Sequence, residues 1–218
     1  MASKGGDWQA PARPRWAGRR ARWRRRRSPA APSALTRRPM TGALDPLSGL
    51  AYLSSYPAAI RDQVSTLLAQ DPAALGPLLL RRYPQAHAVR TDKALYQYAM
   101  DLKSQHLRNA DAVNKVVFDN KIHVVRHALG LHSTVARVQG RKLATRHEIR
   151  IAALFKQAPE EFLRMIVVHE LAHLREREHD KAFYQLCQHM EPHYHQYELD
   201  VRLYLTHMES SGERLWDA

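Results

Sequence analysis

The run HELAHLREREH, residues 169–179, constrains this chain more than any other stretch. It follows the apolar segment Phe162-Leu163-Arg164-Met165-Ile166-Val167-Val168, which begins behind Ala158-Pro159 and two glutamates. Proline suits the first turn of a helix and carboxylates suit its positive end, so a largely buried helix is predicted from Glu160 onward. Residues four apart lie on one helix face. His169 and His173 can therefore hold one metal ion together, with Glu170 beside them where a carboxylate can hold a water. His179, six residues beyond His173, is off that face. It can join the pair only if the helix ends and the chain turns back. The polar stretch Arg175-Glu176-Arg177-Glu178 marks the emergence into solvent, and Asp180 is the expected N-cap of the next helix.

A solitary His pair on an apolar helix is commonly two core histidines. Glu170 between them and His179 at this spacing turn the reading toward a metal site. Three ligands, one open position and a carboxylate base make a hydrolytic zinc centre. One Zn2+ per chain is expected, held by His169, His173 and His179, with Glu170 as general base and Val168, Leu171, Ala172 and Leu174 as a dry wall.

The segment from about Val113 to Leu205 resembles the YgjP-like metallopeptidases, relatives of the SprT-like and WLM families in the zincin group. The resemblance is carried by MIVVHELAHLREREHDKAFYQLCQHMEPHYH, Met165 to His195. It implies the same three ligands and the same base. The spacing also matches the metzincin pattern HExxHxxGxxH, but Glu176 stands where that pattern has the glycine that turns the chain. The departure argues against a metzincin.

The 218 residues carry a formal net charge of +13, and its distribution matters more than its size. Residues 1–40 hold Lys4 and eleven arginines against Asp7 alone, a net of +11, whereas the other 178 residues hold 22 basic and 20 acidic groups. The basicity belongs to a tail, which is expected to be disordered. A nucleic-acid-binding arm, a targeting peptide and an upstream start ahead of Met40 all fit its composition. Nucleic acid is expected to bind through this tail or nowhere, because phosphate contacts need clustered Lys or Arg. Nowhere does the chain hold the roughly 20 apolar residues that span a bilayer, so no membrane partner is expected. Cys187, the one cysteine, excludes an internal disulfide and reads as a small buried residue; cytoplasm is the expected compartment.

After the tail, residues 41–88 read as a helical leader, with helices over Ala58–Gln70 and Ala73–Arg82. Residues 89–209 read as the zincin-like domain and 210–218 as a C-terminal tail, loop-like already from Glu209. Thr91-Asp92 opens a helix reaching Arg108, with Leu95, Ala99, Leu102 and His106 on one face. Strands are expected over Lys115–Asp119, Lys121–Val125, Ser133–Val138 and His147–Ala152, with Ile149 and Ile151 facing the core. Asp180–Met190 is the next helix, with Ala182, Phe183, Leu186 and Cys187 inward. Tyr194–Thr206 is the last, with Leu199, Val201, Leu203 and Leu205 buried.

The expected fold class is therefore α+β and zincin-like, a small antiparallel sheet packed on the HExxH helix. Either Thr134–Val138 or His147–Ile151 would be the edge strand, to which an extended substrate can add. Tyr194, Tyr197 and His193 are the candidate oxyanion donors, and Asp200 and Glu198 the candidate carboxylates behind the ligands. His189, His193 and His195 read as solvated surface. The expected function is a zinc peptidase acting on a peptide or protein. A non-peptide amide hydrolase and a DNA-associated SprT-like protease using the basic tail are the alternatives.

Overall fold

Apolar spacing sets most of the helices, and side-chain caps open two of them. In the computed structural model the described residues are 50–122, 130–139 and 142–216, with backbone alone for 130–139 and 142–145. They belong to one compact unit. The expected tail over residues 1–40 and the first residues of the leader lie outside them. After a 3-10 turn at Ala51–Leu53, helices α1 (Ala58–Gln70) and α2 (Leu75–Arg82) form the leader. Helix α3 (Asp92–His106) starts where Thr91 accepts a hydrogen bond from the Ala94 amide, and it buries Leu95, Ala99 and Leu102.

Three strands follow: β1 (Val113–Asp119), β2 (Gly130–Gln139) and β3 (Lys142–Ala152). Their order is β1-β3-β2, with β2 antiparallel and β1 parallel to β3. The sheet is thus mixed, which corrects the expected antiparallel arrangement. The physical reason lies in the apolar rows. The β1–β3 register sets Val116 opposite Ile149 and Phe118 opposite Ile151, and all four side chains are buried. Strand β2 already pairs along one side of β3, so β1 docks on the other, running the same way as β3. Strand β3 is therefore central, and among the described residues β2 and β1 are the edges. Of the two edge candidates, Thr134–Val138 lies on an edge and His147–Ile151 does not. Of the expected strand Lys121–Val125, Lys121 lies in a turn closed by its amide on the Asp119 carboxylate, Ile122 leaves the sheet, and residues 123–125 lie outside the described residues.

A 3-10 turn (Ala153–Gln157) leads to α4 (Glu160–Ala172), which carries the HExxH motif through the core. Phe162, Leu163, Met165, Ile166, Val167, Val168, Leu171 and Ala172 are all at most 1% exposed, so this helix is apolar on nearly every side. Asp180 caps α5 (Lys181–Met190) by accepting from the Phe183 amide. That helix buries Phe183, Cys187 and Met190; Ala182 is exposed and Leu186 half-buried, against expectation. Helix α6 (Tyr194–Ser211) runs five residues past the expected end and stops at Gly212, whose φ of 75° is the left-handed cap that glycine favours. Val201 and Leu205 are buried in it, while Leu199 and Leu203 are half-buried. Beyond the cap the chain is anchored, because Trp216 is 5% exposed, packs on Phe162 and Tyr204, and donates to the Tyr83 carbonyl. Among the described residues no helix is long and apolar enough to cross a membrane.

Candidate metal centre

Helix α4 ends at Ala172, and His173 is its C-cap. The amides of Arg175 and Glu176 both reach back to the Ala172 carbonyl, and so the chain reverses within one turn. It does this without a left-handed residue, since among the described residues no non-glycine has positive φ. That is how Glu176 stands where another family uses glycine. The turn is also tied to the site: the Glu176 carbonyl lies 3.0 Å from His173 Nδ1.

The reversal brings the exposed His179 onto the half-buried His pair. Its Nε2 lies 3.1 Å from Nε2 of His169 and 3.1 Å from Nε2 of His173. Of the sequence-expected site residues, the structure thus brings His169, His173 and His179 together as a group that could hold a metal ion. Tetrahedral zinc with Zn–N near 2.0–2.1 Å puts its nitrogens about 3.3 Å apart, so the convergence fits such an ion. The donor set fits as well. Nδ1 of His169 lies 2.8 Å from the Tyr194 hydroxyl and Nδ1 of His173 faces a carbonyl, which leaves Nε2 on each ring as the converging atom. Phe183 packs against all three rings at centroid distances of 4.7–4.9 Å and closes one side of the cluster.

Glu170 is 3% exposed, and its Oε2 has no hydrogen-bond partner among the described residues. Burial alone pushes its carboxyl up to about 8. A buried carboxyl oxygen without a partner among the described residues, on the residue that follows His169, is a group that a cation would balance. Burial, then the neighbouring His173 and His179, pushes His169 down to about 3, and burial also lowers His173. Both rings are thus biased to the neutral form that binds metal.

These shifts have a consequence for the metal-free protein. Between its ordinary value of 4.5 and about 8, native Glu170 keeps a proton that the unfolded chain has lost. Its contribution to stability is full below 4.5 and declines as pH rises through about 8. His169 acts in the opposite sense. Its contribution is present above its ordinary 6.5 and is lost as pH falls toward about 3. Urea unfolding of chelator-treated protein should therefore show stability falling from pH 6.5 to pH 9, by on the order of a few kcal/mol. Glu170→Gln should flatten that decline; an equally steep decline in the variant would assign it elsewhere.

Other expected residues sit differently. Asp200 is buried but engages Arg82, Tyr83 and Gln196, and Glu198 pairs with Arg202, so neither carboxylate backs a ligand imidazole. Their places are taken by Tyr194 and the Glu176 carbonyl. Tyr194 is wholly buried against His169, which removes it as an oxyanion donor, while Tyr197 packs near Tyr83 and His193. His189, His193 and His195 are exposed, as expected. Cys187 is buried, and burial raises its thiol to about 12. Sequence reasoning passed over Arg202, whose charge helps to lower His169. Its one sequence signal is the i, i+4 pair with Glu198.

Comparison with known proteins adds two findings. Residues 126–202 match the family described as "YgjP-like, metallopeptidase domain". Over 169 residues, 78% of this chain and the whole of the relative, the sequence is 60% identical to the UTP pyrophosphatase of Escherichia coli (strain K12). No solved structure matches the chain.

Proposed function

The chain belongs to the YgjP-like family and is a hydrolase of that family, and we propose that it hydrolyses UTP to UMP and pyrophosphate at a zinc centre formed by His169, His173 and His179. The observation that carries the substrate is the 60% identity to a UTP pyrophosphatase over that protein's full length. The convergence of three imidazoles, with Glu170 following His169 in the chain and its buried Oε2 without a partner among the described residues, supports the chemistry. A helix bearing two ligands beside an edge strand also keeps the zincin-like reading of the fold.

In this reading the ligands are neutral, and the groups behind two of them, a phenol and a carbonyl, are neutral as well. The centre therefore keeps the full charge of its cation, which suits a triphosphate. A zinc ion bound there supplies Lewis acidity and lowers the pKa of a water. Glu170 accepts the proton of the attacking water at its carboxylate. The water oxygen bonds to the α-phosphorus, and the bond from that phosphorus to the bridging oxygen breaks, releasing pyrophosphate. Phe183 excludes solvent from one side, and the Glu176 carbonyl and the Tyr194 hydroxyl keep two imidazoles in place.

A peptidase is the second reading, favoured by the family's description and by β2 lying at the edge of the sheet among the described residues, where an extended chain can add. An amide hydrolase of other substrates would use the same residues. A DNA-associated protease would depend on residues 1–40, which lie outside the described residues.

The deciding experiment incubates the zinc-loaded full chain with UTP, and in parallel with a mixed peptide library. Stoichiometric UMP and pyrophosphate, resolved by ion-exchange chromatography, are expected. Peptide cleavage with no turnover of UTP would replace the proposal by the second reading.

A further inference from the structure

We propose that Tyr194 is a positioning residue for the metal: its hydroxyl holds His169 in the tautomer and orientation that a ligand needs. The inference rests on the reading that the three histidines bind a metal ion.

His169 faces the other rings through Nε2. It can offer a lone pair there only if its proton is on Nδ1. That atom lies 2.8 Å from the Tyr194 hydroxyl, so Nδ1–H donates to the phenol oxygen. The phenol oxygen is then the acceptor, and its own hydrogen turns away from His169. Tyr194 is 0% exposed, so the phenol side of this bond is shielded from water.

The geometry around Tyr194 is rigid. It opens α6 twenty-five residues after His169, and its ring lies within 15° of parallel to the imidazole. Its acceptor is neutral and weakly basic, unlike the carboxylate that often backs a ligating histidine. It orients the ring without adding negative charge to a centre that takes an anionic substrate. The corresponding acceptor for His173 is a backbone carbonyl, which no side-chain substitution removes. Tyr194 is therefore a place where one atom can be deleted to disturb the metal without altering a ligand.

The test compares zinc affinity of the wild-type full chain, Tyr194→Phe and Tyr83→Phe by competition with a chromophoric chelator. Tyr83→Phe is the control, because it also deletes a buried hydroxyl, one bonded to Asp200 away from the cluster. Tyr194→Phe should weaken zinc binding by about 10- to 100-fold, while the control leaves it unchanged. A merely structural Tyr194 would lower thermal stability, as Tyr83 does, and leave zinc affinity within twofold; that result overturns the proposal. A second measurement needs no variant. Long-range 1H–15N spectra of the metal-free wild type should show His169 as the Nδ1–H tautomer, and the Nε2–H tautomer overturns the proposal even if Tyr194→Phe fails to fold. Failure of the two readings is distinguishable. A wild type that binds no zinc removes the metal centre itself, whereas tight wild-type binding with an indifferent Tyr194→Phe removes this inference alone.

Discussion

Glu170→Gln should lower kcat for UTP by about 10²- to 10⁴-fold, the range that a positioned general base contributes, and leave one zinc per chain. The substitution preserves shape and removes only the ability to take a proton. It should not cost stability, because the native carboxyl is buried, its Oε2 has no partner among the described residues, and burial already favours its neutral form. An amide there spares the protein a charge in an apolar setting. Metal content by elemental mass spectrometry separates loss of the base from loss of the site. If kcat stays within threefold of wild type while zinc is retained, Glu170 is not the base.

Removing a ligand should act on the metal itself, and the structure ranks the ligands. His173→Ala deletes one of three nitrogens and also the bond from Nδ1 to the Glu176 carbonyl, 3.0 Å away, that ties the turn leading to His179. Two ligands are disturbed by one change. His179→Ala deletes one nitrogen from an exposed position and leaves the turn tied. If structural zinc sites gain about 10–16 kcal/mol from four ligands, one ligand is worth roughly 3 kcal/mol, or on the order of a hundredfold in affinity. His179→Ala should weaken zinc binding by about that factor, and His173→Ala by about tenfold more. Chelator competition on both variants gives the order. Equal losses would mean that the carbonyl does not hold the turn, and zinc binding unchanged in both would remove the metal centre.

The helices and the pairing of His169 with His173 on one face were legible in the sequence because their determinants are local. Pro159, Glu160 and Glu161 mark the start of α4, Thr91 and Asp180 are side-chain caps, and the i, i+4 relation of His169 and His173 follows from helix pitch alone. The alternation of Ile149 and Ile151 with Glu148 and Arg150 likewise marks a half-buried strand. The misreadings share one cause. Burial of Ala182, the length of α6 and the parallel pairing of β1 depend on what lies opposite, and opposition is set by residues far away in the chain. Trp216 illustrates this: nothing adjacent to it predicts that it packs on Phe162.

By itself, then, the sequence determined that a buried helix carries two histidines and a carboxylate, and that a third histidine follows where the helix must break. Helix periodicity and the polarity of residues 175–178 suffice for that. Only the tertiary structure decided that the third imidazole arrives within 3.1 Å of both others, and that the group behind His169 is a tyrosine rather than Asp200 or Glu198. Those contacts depend on how α6 packs against α4, a long-range match of buried surfaces that no local rule encodes. Asp200, on the face of α6 toward Arg82 and Tyr83, is drawn to that guanidinium and phenol, and the hydroxyl of Tyr194 is the group that α6 presents to the metal ligands.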